Sequence, residues 1–141
     1  MLPPGIVSGT PPTSSFIVIA VVALGLPGCT SQNTRLQQHK EKFESLGSTT
    51  AAIGEAWLAG NVSGTYSGAA LEETFRLVEQ ERTALVSSPQ ALLDTRGSQL
   101  SQAAERLSRL LAVMLRDVRA ADAPSARRHL AEIPIMPSEH P

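Results

Sequence analysis

The chain has 141 residues, 12 Lys and Arg against 13 Asp and Glu, 42% hydrophobic residues and 4% aromatics. A formal net charge of −1 excludes a strongly basic nucleic-acid binder, and a single Cys excludes an internal disulfide framework or a multi-cysteine zinc site. The apolar content excludes a chain disordered throughout, and the length sets one small domain, with room for a tail before it.

The first residues form a segment of their own. Residues 1 to 34 carry no charged side chain. Pro3, Pro4, Pro11, Pro12 and Pro27 crowd the start, whereas Pro89 is the only proline between Cys29 and Ala123. Such a composition break reads as a processing boundary. Within it, Phe16 to Leu26 runs without a polar side chain. As a helix this run would extend about 16 Å, roughly half of a ~30 Å hydrocarbon core, which suits the apolar region of a secretory signal better than a spanning helix.

The run ends in Leu26-Pro27-Gly28-Cys29, which resembles the lipobox of bacterial lipoproteins. The resemblance covers the N-terminal segment alone. It implies cleavage before Cys29, with acyl chains of the palmitate type added to the Cys29 thiol and to its new amino terminus. Two features depart from that family: no Lys or Arg precedes the apolar run, and Pro27 stands inside the box. The alternative reading is an uncleaved hydrophobic N-terminus with an incidental buried Cys. By the sorting behaviour of the family, Thr30 after the Cys implies the periplasmic side of the outer membrane in a Gram-negative host. The small polar residues that follow predict a tether. The expected organisation is a signal peptide over 1–28, a tether over 29–34, a helical domain over 35–133 and a frayed tail over 134–141.

The helical domain opens with a heptad stripe: Leu36, Phe43, Thr50 and Trp57, with Leu46 and Ile53 on the second seam position. Gly47 and Gly54 weaken that helix unless a neighbour approaches closely there, and a break near Gly47-Ser48 is the competing reading. Gly60-Asn61 supplies a stop. A second helix is expected from about Thr65 to Val86 on Leu71, Phe75, Val78 and Leu85, closed by Ser87-Ser88-Pro89. Pro89 opens a short turn through Leu92 and Leu93, and Gly97 separates that corner from the next helix or lies in its first turn. Leu100, Ala104, Leu107, Leu111, Met114, Val118 and Ala121 then alternate steps of four and three, the clearest helical stripe in the chain. Asp122-Ala-Pro124 starts a short helix with Leu130 and Ile133 inward. No period-two alternation occurs anywhere, and Val, Ile and Thr cluster little outside the signal. The expected fold is all-α, with three long antiparallel helices in a small bundle plus a short C-terminal helix, preceded by a signal peptide.

Few residues suggest chemistry. Arg106, Arg109, Arg116 and Arg119 lie opposite the third Leu stripe, either as a basic strip for anionic partners or as an ordinary solvated face diluted by Glu105 and Asp117. Arg82 falls inside the second apolar stripe, where it anchors a ligand or pairs with a carboxylate such as Glu79, Glu44 or Glu55. His39 reads as a half-buried helix residue. His129 and His140 show no partner at ligand spacing, so no metal site is expected. Asn61-Val62-Ser63 matches a glycosylation sequon that a bacterial lipoprotein would leave bare. No Gly-x-Ser-x-Gly, Ser-x-x-Lys or phosphate loop occurs. These observations lead to a non-enzymatic, membrane-tethered helical protein of the cell envelope that contacts a protein or an envelope polymer and carries no cofactor. The alternative is a small-ligand or metal carrier with an inter-helix pocket lined by Trp57, Tyr66, Phe75 and Arg82.

Overall fold

The computed structural model describes residues 32–133. The expected signal peptide, Cys29 and the tail 134–141 lie outside the described residues. The all-α expectation holds: the elements are α1 (Gln32–Leu58), α2 (Gly64–Val86), α3 (Pro89–Leu93), α4 (Thr95–Arg119) and α5 (Ala123–Ala131), with no strand among the described residues.

Cross-helix contacts give the directions. His39 and Lys42 near the start of α1 both reach Glu81 near the end of α2, while Gly64 at the start of α2 faces the Trp57 indole at the end of α1. α1 and α2 are therefore antiparallel. Glu72 and Glu79 of α2 pair with Arg119 and Ser108 of α4, again in reversed order. Phe43 lines one cavity with Leu100 and Leu107, and Gly54 lies against Met114, so α1 and α4 run in the same sense. The bundle goes up, down and up. α3 folds across the turn between α2 and α4, and α5 descends over the groove between α4 and α1, bringing Leu130 to Gly54 and Ile133 to Gly47.

The heptad stripe of α1 faces inward, with Leu36, Phe43 and Thr50 buried. The Thr50 hydroxyl donates back to the Leu46 carbonyl at 2.8 Å, which satisfies it in an apolar seam. α2 contributes Leu71, Val78 and Leu85, and α4 contributes Ala104, Leu107, Leu111, Met114 and Val118. Leu110 and Asp117 of α4 are buried as well. α4 has α1, α2, α3 and α5 around it, so its covered face is wider than one stripe.

Several boundaries differ from those expected. Gln32, Asn33 and Thr34, expected in the tether, form the first turn of α1, where polar residues suit N–H groups that have no helical acceptor. α1 continues through Gly47 without a break. At Gly54 an added Cβ would stand 2.6 Å from the Met114 methyl and 3.2 Å from Leu130, so this glycine serves the close approach of three helices. Ala121 is not a stripe residue. It follows the end of α4 with φ of 54° and is exposed. The Asp122 N–H donates to the Asp117 carbonyl at 2.8 Å and the Ala121 N–H to Val118 at 3.1 Å, a Schellman closure with alanine where glycine is usual. α1 closes the same way, with Gly60 at φ of 74° and the Asn61 N–H donating to Ala56.

The starts of α2, α4 and α5 are capped by side chains. Ser63 accepts from the Tyr66 N–H, Asp94 from Arg96 and Asp122 from Ser125. The sequon Ser63 is thus the N-cap of α2. Gly97 lies in the first turn of α4, where a Cβ would fall 1.6 Å from the Ala91 carbonyl oxygen. Only a glycine lets α3 lie against α4 there.

Candidate functional site

Arg82 is settled locally. Its guanidinium donates to both oxygens of Glu79, one turn back, at 2.7 and 2.9 Å. Glu79 also accepts from the Ser108 hydroxyl of α4, so the carboxylate joins α2 to α4. That hydroxyl bond, ahead of the Arg82 pairing, holds the Glu79 carboxyl below the usual carboxylate range despite some burial. Of the three partners considered for Arg82, the structure supplies Glu79.

The arginines of α4 are exposed, but the strip is largely neutralised. Arg109 pairs with Glu105 at 3.3 Å, Arg119 with Glu72 of α2 at 2.8 Å, and Arg116 lies 3.8 Å from Asp117. Arg106 alone of the four makes no ion pair among the described residues. Surface pairs of this kind contribute little to stability, yet they remove the uncompensated charge that an anion-binding strip needs.

The residues suggested for a carrier pocket do not converge. Trp57 is half-buried against the core, while Tyr66 is 63% exposed. Tyr66 and Arg82 sit near opposite ends of α2, separated by about 24 Å at 1.5 Å per residue. Between α1 and α4, the cavity bounded by Lys40, Phe43, Gly47, Leu100 and Leu107 measures about 30 Å³, room for little more than a water. A larger depression of about 620 Å³ lies open to solvent on the outer face of α2, floored by Ala69 and Phe75 and rimmed by Glu72, Glu73, Arg76 and Glu79. Its rim charges are already paired: Glu73 with Arg76, Glu72 with Arg119 and Glu79 with Arg82.

Two histidine–carboxylate pairs join elements. His39, half-buried as expected, meets Glu81, which also accepts from Lys42. His129 of α5 meets the buried Asp117 of α4 at 2.6 Å, a partner outside ligand spacing on any single helix face. The partner lies on another helix, where spacing along a single face does not reveal it. Among the described residues no three His, Cys, Asp or Glu side chains converge in a metal-holding group. None of the helices described is long and apolar enough to cross a membrane.

One surface feature escaped the sequence reading. The corner joining α2 to α4 exposes Val86, Leu92 and Leu93, and Leu93 is 87% exposed. α3 is a single short turn, so its sequence has no periodicity from which a buried side could be assigned.

No family model, curated protein or solved structure matches this chain.

Proposed function

We propose that this protein is a non-enzymatic lipoprotein of the bacterial cell envelope, held to the membrane by acyl chains on Cys29 and acting by contact with a protein or an envelope polymer. The observation that carries this reading is the apolar run ending in Leu26-Pro27-Gly28-Cys29, with the only Cys of the chain at the acylation position. In this reading the mature chain is the three long helices and a short terminal one, tethered by the few residues after Cys29, on the periplasmic side of the outer membrane in a Gram-negative host.

The interior favours contact over cargo. Leu71, Val78, Leu85, Leu111 and Met114 fill the core, and Tyr66 and Arg82 of the suggested pocket stand near opposite ends of α2. The surface offers places for a partner in the exposed Tyr66 and in the open depression over Phe75.

Metabolic labelling with an alkyne palmitate, in cells carrying the wild-type chain or Cys29→Ala, tests the reading. The wild type is expected in the membrane fraction and to carry the label. Cys29→Ala, with no thiol to acylate and its apolar run left uncleaved, is expected to carry none whatever its fraction. Equal labelling of the two, or an unlabelled wild type, would overturn the proposal.

A further inference from the structure

We infer that the corner formed by Val86, Leu92 and Leu93 is a second membrane contact, resting on the lipid surface to which the N-terminal anchor holds the bundle. This inference rests on the anchoring at Cys29 proposed above.

The corner and the start of α1 share one end of the molecule. His39 lies across from Glu81. From that level α1 has about 10 Å left to its start at Gln32, and α2 about 7.5 Å to its end at Val86. The two ends are therefore nearly flush. α4 begins at Thr95, at the same end, because Leu100 lines one cavity with Phe43.

Cys29 precedes Gln32 by only three positions, a reach of at most about 11 Å even when fully extended. Acyl chains on Cys29 would hold this end of the bundle at the headgroups. The opposite end, with Trp57 and Tyr66, lies about 38 Å away along α1.

The chemistry at the near end suits a lipid surface. Leu93 is 87% exposed, Val86 46% and Leu92 41%; Val86 ends α2, and Leu92 and Leu93 end α3 just before α4. Exposed leucines at a tight corner add little to the fold and resemble the apolar side of an interfacial segment. Arg35 in the first turn of α1 and Arg96 in the first turn of α4 are exposed and form no ion pair among the described residues. Asp94, between Leu93 and Arg96, is half-buried and spends its carboxylate on the Arg96 N–H. Apolar side chains flanked by available cations favour a surface containing anionic lipid.

Two or three acyl chains on Cys29 would anchor the chain by themselves, so the corner contact serves to fix the orientation of the bundle. With its corner on the surface, the bundle would stand upright, presenting Tyr66 and the α2 depression away from the lipid.

The test uses the full chain, extracted from a bacterial host and reconstituted into phosphatidylethanolamine–phosphatidylglycerol vesicles with or without brominated acyl chains. The wild-type chain, whose only Trp is Trp57, is compared with Leu93→Trp. Both are expected to float with the vesicles. Brominated lipid should leave wild-type emission unchanged and remove most of the emission added by Leu93→Trp, whose added component should be blue-shifted. Flotation with no quenching of the added emission would overturn the second contact and leave the anchor standing. A blue-shifted but unquenched component would also overturn it, by showing the corner covered by protein. Failure of both chains to float would overturn the anchor and this inference together.

Discussion

Glu79 receives two side-chain donors, and they differ in what they hold. Arg82 is one turn away on the same helix and leaves both groups partly open to water, so this pair stabilises weakly. Ser108 comes from α4, and its bond fixes the spacing of two helices. Arg82→Met is expected to change stability by no more than about 1 kcal/mol, because the hydrophobic stem is retained and Glu79 keeps Ser108. Urea melts of the two chains check it, and a larger loss would mean that Arg82 supports more than Glu79. The Glu79 carboxyl lies below its ordinary range when folded. Its contribution is therefore complete above the unfolded value near pH 4.5 and is lost as pH falls through the lower folded value. Glu79→Gln should flatten that part of the acid unfolding profile and leave the profile above about pH 6 parallel to that of wild type. At Ala121 the same scale gives a change of opposite sign. A left-handed alanine is strained where glycine is not, so Ala121→Gly should raise stability by about 1 kcal/mol, visible as a higher thermal midpoint.

At the scale of elements, two glycines separate a soft contact from a hard one. Gly54 and Gly97 both sit inside helices, where alanine would gain about 1 kcal/mol of propensity. At Gly54 the added Cβ meets the mobile end of Met114, which can turn aside, so Gly54→Ala should be roughly neutral to a loss of about 2 kcal/mol. At Gly97 it meets the backbone of Ala91, which cannot move without taking α3 with it. Gly97→Ala should therefore cost more than Gly54→Ala and loosen the α3 corner, seen as faster amide exchange over 89–97. The sides of α4 differ as clearly. Leu111→Ala should cost about 2 to 5 kcal/mol through lost burial and the cavity left behind, while Arg109→Ala should stay within about 0.5 kcal/mol. Equal urea midpoints for those two would contradict the packing of α4 described above.

Those faces were legible because a buried side repeats with the helical period: Leu36, Phe43 and Thr50 in α1, and Leu107, Leu111 and Met114 in α4, can be read from spacing alone. Contacts that join different elements leave no such trace. His129 with Asp117 and Ser108 with Glu79 depend on how helices are set beside each other. Leu110 is buried because α4 has neighbours on several sides, a property of the assembled bundle. Ala121 keeps the rhythm of the stripe after the helix has ended, and the glycine that usually marks such an end is missing. In the five-residue α3, the exposure of Leu92 and Leu93 follows from the fold of the corner.

For the whole molecule, a filled core, partly neutralised arginines and an apolar corner beside the start of α1 agree with a bundle that acts at a membrane surface by contact. The covalent anchor at Cys29 underlies that reading, and intact-mass analysis of the full protein extracted from host membranes decides it. The expected species is a polypeptide beginning at Cys29, heavier than its sequence by a diacylglyceryl group with or without a further acyl chain on the amino terminus. An unmodified polypeptide that still carries Met1 would contradict it.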